Sequence, residues 1–198
     1  GEYSQSPAVE YCKLLASLLP KPLDKTYLVN SGTEATEGAL KLARRVTGRT
    51  QLISCHNAYH GNTMGSMSVM GFEERKKPFG PLIEDVDFIT FNNEEDIQKI
   101  TTKTAGIILE SIQGGAGFIQ PENNFLQKVK QRCEEVGALM IIDEIQPGFG
   151  RTGKLFGFQN YDVVPDIIIL GKGMGGGMPV GAFVASSAHM DLLSDNPK

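Results

Sequence analysis

Residues 139–142, Leu-Met-Ile-Ile, and residues 167–170, Ile-Ile-Ile-Leu, narrow the choice of fold more than any other segment of the chain. Each is too short for a helix and has no polar position to turn toward water, so each reads as a strand buried on both faces. A sheet made of such strands needs helices above and below it, and the chain supplies them. Within residues 8–19, Val9, Cys12, Leu15, Ala16 and Leu19 recur at three- and four-residue spacing, an amphipathic helix that Pro20 and Pro22 close. Residues 26–30 form a short β-rich run, after which Ser31-Gly32-Thr33-Glu34-Ala35 opens a helical pattern through Ala39, Leu40, Leu42 and Ala43 to Gly48. Further strands are expected at residues 51–55, 87–91 and 105–109, a glycine-containing segment at 59–65, and a helix at 124–136. This alternation predicts an α/β fold, three layers in the order α/β/α around a mostly parallel sheet. In open sheets of that kind ligands bind beyond the carboxyl ends of the strands, where the unusual residues of this chain also cluster.

The bulk numbers exclude several classes of function. A chain of 198 residues, 40% hydrophobic and 21% charged, is long enough to bury one substantial core. Its formal net charge of -4 offers no basic field for nucleic acid or for a membrane surface. No apolar run approaches the ~20 residues that span a bilayer. Cys12, Cys55 and Cys133 lie far apart, without the spacing of a zinc site or a disulfide framework, which fits a reducing cytoplasm. Gly1-Glu2-Tyr3-Ser4 has no signal-peptide character and no initiator methionine, so an excised or processed piece is expected.

Three segments carry residue types suited to chemistry. Asn30-Ser31-Gly32-Thr33-Glu34 sets a glycine and two hydroxyls between strand and helix, where free N–H groups and the helix dipole favour a phosphate. A simple N-cap at Ser31 is the competing reading. Asp143-Glu144 follows a buried strand, either as an acidic cap or as a carboxylate awaiting a cation such as a protonated pyridine nitrogen. Lys172 follows another buried strand and precedes the run Gly173-Met174-Gly175-Gly176-Gly177. A phosphate-gripping loop is the alternative there, but a P-loop places its glycines before the lysine and a Ser or Thr after it. Desolvation at such a position would favour the neutral amine that forms an imine with an aldehyde. Tyr59-His60-Gly61 offers rings beside a glycine turn that could stack on a planar cofactor or simply pack in the core. Arg151 and Thr152, in the loop that also holds Gln146, read as loop braces for Arg151 at least.

In order and spacing these segments resemble the class III aminotransferases among the fold-type I pyridoxal-phosphate enzymes. The resemblance rests on SGTEA at residues 31–35, YHG at 59–61, DEIQ with GFGRTG across 143–153, PDI at 165–167 and GKGMGGGMPVGAF at 171–183. It implies that Lys172 carries the internal aldimine of pyridoxal 5'-phosphate and shuttles a proton, and that Asp143 pairs with the pyridine nitrogen. It further implies that Ser31, Gly32 and Thr33 hold the phosphate, Tyr59 stacks on the ring with His60 nearby, Gln146 approaches the phenolic oxygen, and Glu110 belongs to a polar network behind the ring. The expected reaction moves an amino group from an ω-amino or basic amino acid donor, of the acetylornithine, ornithine or 4-aminobutyrate type, to a 2-oxo acid. A homodimer with a shared active site is implied as well. The family usually reads E-P-[IV]-Q-G-E where this chain has Glu110-Ser111-Ile112-Gln113-Gly114-Gly115, so Gly115 replaces a substrate-gating glutamate. Residues 1–198 correspond to most of a large cofactor-binding domain, with an amino-terminal segment and a carboxyl-terminal small domain expected outside them. A non-covalent nucleotide-binding module and an inert fragment are the alternatives to an active enzyme.

Overall fold

The computed structural model describes residues 4–194. The chain ends on which the expectation of an excised piece rested lie partly outside the described residues. Helix α1 (Ser6–Leu18) leads into β1 (Lys25–Val29), and α2 (Gly32–Thr47) into β2 (Gln51–Cys55). Two short helices, α3 (Met64–Ser68) and α4 (Glu73–Lys76), precede β3 (Val86–Ile89) and β4 (Thr104–Glu110). Then come α5 (Phe125–Val136), β5 (Leu139–Asp143), β6 (Ile167–Leu170), β7 (Gly181–Ala185) and a final short α6 (Ser187–Met190). The seven strands form one sheet in the order β1-β7-β6-β5-β4-β2-β3. Neighbours from β3 to β6 pair in parallel, whereas β7 is antiparallel to both β6 and β1.

The buried strands face two cores, as their unbroken apolar runs require. Ile107, Leu109, Met140, Ile142, Ile168 and Leu170 pack on one side with Leu15 of α1 and Phe125, Val129 and Cys133 of α5. Ile108, Ile141, Ile167 and Ile169, alternating with them, pack on the other side with Ala35, Ala39, Leu42 and Ala43 of α2. Each fully buried aliphatic side chain contributes roughly 1.5–3 kcal/mol, so the sheet is anchored from both faces. Helix α2 begins with Ser31 as its N-cap, whose hydroxyl accepts the Glu34 N–H, and ends at Gly48 in the left-handed conformation. Among the described residues no helix is long and apolar enough to cross a membrane.

The sequence-derived elements recur within a residue or two of their expected ends. The strand the sequence did not announce is β7. Its segment, Gly-Ala-Phe-Val-Ala, has a glycine start and two alanines in place of a β-branched run. Small residues are needed there because β7 passes close to the start of α2: a Cβ on Gly181 would lie 2.4 Å from the Ser31 carbonyl oxygen.

Candidate active site

The parallel strands deliver their carboxyl ends side by side, and the register fixes which residues meet. Glu110, last in β4, is the register partner of Asp143, last in β5. Strand β6 ends one place further along the sheet at Leu170, and Gly171 then carries the chain into Lys172. Lys172 has φ 45°, a left-handed conformation that costs a residue with a side chain about 1–2 kcal/mol. A cavity of about 280 Å³ opens over these ends, lined by Gly32, Thr33, Tyr59, Asp143, Gln146 and Lys172 among others. It adjoins a larger hollow of about 1130 Å³ that shares Ile145, Gln146 and Lys172 and extends to Phe118 and Arg151.

Asp143 is held at both oxygens. Its Oδ1 accepts the Ile145 N–H at 2.9 Å, and its Oδ2 lies 2.7 Å from His60 Nδ1. His60 is 1% exposed and Asp143 3%, and the other ring nitrogen, His60 Nε2, has no hydrogen-bond partner among the described residues. Glu110 is also buried, with Oε1 accepting the Gly114 N–H at 3.1 Å and Oε2 left unpaired. Burial pushes the Glu110 carboxyl up to about 7, His60 pulls it down, and the Asp143 charge adds to the rise. The structure therefore brings His60, Asp143 and Glu110 together at one wall of the cavity.

At the opposite wall the hydroxyls near α2 are already engaged. Ser31 caps the helix by accepting the Glu34 N–H at 3.3 Å, which leaves its hydroxyl proton available to a further acceptor. Thr33 Oγ1 bonds the hydroxyls of Thr63 at 2.8 Å and Ser66 at 2.7 Å. A phosphate here would meet chiefly the N–H groups of Gly32 and Thr33, which head the helix without intrahelical acceptors. Glu37 Oε1 completes the cluster by accepting from the Thr63 hydroxyl and from the Gly65 and Ser66 N–H groups. Thr63 and Ser66 lie 30 and 33 residues from Thr33, and Glu37, one helical turn after Thr33, meets them only across that gap, so the cluster escaped the sequence reading.

Tyr59, 38% exposed, faces the cavity and is free to receive a planar group. Gln146 leans on the backbone of Gly114, where a Cβ would come within 2.4 Å of its Oε1. Lys172 is exposed and has no hydrogen bond or ion pair among the described residues, so the desolvation expected at this lysine is not provided by this chain alone. The cause is the open mouth of the adjoining hollow, where Phe118 is 70% exposed. The glycines after Lys172 fold as a single 3-10 turn, Lys172–Gly175, that ends at Gly176 in the left-handed conformation, which is not the loop-to-helix junction of a P-loop. Arg151 is exposed and lines the larger hollow, which is not the buried bracing position expected of it. Among the described residues no cluster of His, Cys, Asp and Glu is arranged to hold a metal ion.

The family description "Aminotransferase class-III" matches residues 1–196. The chain belongs to the class III aminotransferases. Among relatives of this class III chain, the [LysW]-aminoadipate semialdehyde/glutamate semialdehyde transaminase of Sulfolobus acidocaldarius is 48% identical over 171 residues, covering 86% of this chain and 44% of the relative. The acetylornithine aminotransferase of Methanopyrus kandleri is 44% identical over 184 residues, covering 92% of this chain and 47% of the relative. The class III chain thus spans about half the length of the curated relatives it matches. An ornithine aminotransferase structure from Toxoplasma gondii, described as partly occupied by PLP at its active site, superposes with a TM-score of 0.91 at 29% identity. That match covers 98% of this chain and 48% of the other.

Proposed function

We propose that the whole protein is a pyridoxal-phosphate-dependent aminotransferase that takes an amino group from an ω-amino or basic amino acid and gives it to a 2-oxo acid. The observation that carries this reading is one cavity bordered by an unpaired lysine amine, a doubly held carboxylate and the N–H groups of a helix start. That donor set fits pyridoxal phosphate group by group: an aldehyde for Lys172, a pyridine nitrogen for Asp143, a phosphate for the α2 start, and a ring face for Tyr59. The orphaned polar atoms of His60 and Glu110 behind Asp143 mark the same wall. When bound, the cofactor supplies an electron sink for the carbanion left when a substrate C–H bond breaks.

The chain's own residues then have distinct tasks. Lys172 Nζ would hold the cofactor through its aldehyde, and its amine would be the base that moves the proton at the substrate carbon. Asp143, its orientation fixed by Ile145 and His60, would offer the pyridine nitrogen an acceptor. The N–H groups of Gly32 and Thr33, with Ser31 adjacent, take the phosphate, and Gln146 approaches the phenolic oxygen. Glu110 stands behind with His60 as a second acid. Relatives and neighbours named for acetylornithine, aminoadipate and glutamate semialdehydes, and ornithine support a donor with a basic or ω-amino side chain.

Residues 1–198 are proposed as most of the large cofactor-binding domain, with a further small domain and a second subunit closing the open hollow. A homodimer in the cytoplasm is the accompanying proposal, in keeping with the charge of -4 and the lack of a membrane-crossing helix among the described residues. Full-length protein is to be assayed with ornithine, N-acetylornithine and 4-aminobutyrate against 2-oxoglutarate, alongside sedimentation. Turnover of at least one donor by a dimer supports the reading. No amino transfer to any oxo acid, or full activity from a monomer, contradicts it.

A further inference from the structure

Strand β5 ends in Asp143, and the next residue is a second acid with no part in the site just described. Glu144 is 0% exposed. Its Oε2 accepts the Gly157 N–H at 2.6 Å and its Oε1 the Phe158 N–H at 2.9 Å, while its own carbonyl accepts the Gly148 N–H at 2.9 Å. One residue therefore ties down both ends of the loop formed by residues 145–156. The loop is folded back on itself by the Gly150 N–H to the Leu155 carbonyl at 3.0 Å and by the edge-on contact of Phe149 with Phe156. Its first residue, Ile145, packs on Gly32 at the head of α2, and its second, Gln146, lies against Gly114. At the far end there is no room for a side chain: a Cβ on Gly157 would sit 2.5 Å from Ser111 Oγ and 3.0 Å from Pro147 Cβ.

We infer that Glu144 is a positioning residue: its buried carboxylate clasps Gly157 and Phe158 to the end of β5 and thereby fixes Gln146 and Phe149 beside Lys172. A fully buried acid is a poor source of stability, since desolvation opposes its charge. Burial pushes Glu144 up to about 7 even against the pull of the Gly157 N–H, the Ser111 hydroxyl and the Phe158 N–H. What the acid provides that an apolar residue would not is a two-pronged acceptor aimed at consecutive backbone donors. Without it those two N–H groups would be buried and unpaired, and the cheapest relief is for the loop to lift at its base.

The clasp itself is independent of the proposed cofactor, whereas its effect on Gln146 at the cofactor rests on that reading. Arg151 and Lys154 are exposed within the loop and give trypsin two places to cut once the loop opens. The chain, Glu144→Gln and Gly157→Ala are to be digested without added cofactor. Cleavage after Arg151 or Lys154 is expected to be about tenfold faster in both variants, with other sites unchanged. Pyridoxal phosphate is then added and the pH midpoint of its near-visible band recorded, which a shifted Gln146 moves and mere destabilisation does not. Wild-type cleavage rates together with a wild-type band in both variants overturn the inference, as does faster cleavage spread along the whole chain. If the unaltered protein gives no band, the cofactor reading fails and the trypsin comparison alone decides the clasp.

Discussion

On the α2 side of the cavity, Glu37 Oε1 accepts from a hydroxyl and two backbone N–H groups, and Thr33, Thr63 and Ser66 bond one another. On the β4–β5 side, His60 Nε2 and Glu110 Oε2 are buried with no hydrogen-bond partner among the described residues, although the neighbouring Asp143 is held at both oxygens. Both networks are built from side chains distant in sequence, yet only the first is complete. A complete network behaves as scaffold, because each member loses a partner if another moves. An incomplete one keeps buried polar groups at a cost in stability, which is expected where a site is shaped for something other than the folded chain itself.

The largest expected effect breaks the complete side. Glu37→Ala removes one acceptor from three donors and is expected to lower unfolding stability by about 2–4 kcal/mol, read from urea midpoints. A loss below about 1 kcal/mol would mean that water replaces Glu37 and that the two sides differ less than their hydrogen bonds indicate. On the incomplete side the sign reverses. Glu110 ionises near 4.5 when unfolded and about 7 when folded, so the unfolded chain releases its proton first as pH rises. Stability should therefore fall between those values and stay reduced above them. Glu110→Gln abolishes that contribution, leaving the variant more stable than the parent at pH 8 by about 3 kcal/mol. Equal melting at pH 8, with parallel pH slopes, would show that Glu110 is not strained by burial. The smallest effect is local: Ser31→Ala loses the α2 cap and about 1 kcal/mol, measured by the same melts.

The layers of the fold were legible because they depend on local pattern. Ile167–Leu170 is a strand buried on both faces in sequence and in space, and the α2 boundaries follow from Ser31 and Gly48. Strand β7 was not legible, since its glycine and alanines are dictated by the backbone of Ser31, which sequence spacing does not reveal. Lys172, Asp143, Tyr59, Gln146 and the Gly32–Thr33 backbone were legible as residues, and the structure gathers them around one cavity. The His60–Asp143 bond and the Glu37 cluster join elements remote in sequence, and the Glu144 clasp closes a loop whose path no local pattern sets, so they appear only once the chain is folded. Exposure of Lys172 ran against expectation, because its side chain borders the wide hollow lined also by Phe118 and Arg151, which strand pattern alone does not reveal.

Lys172 is proposed as the residue that takes the cofactor. Mixing the protein with pyridoxal phosphate, reducing with borohydride and mapping the modified peptides tests it most directly. Label concentrated on Lys172 and abolished by Lys172→Ala is the predicted result. Label spread over other lysines, or none on either this chain or the full-length protein, would contradict the account.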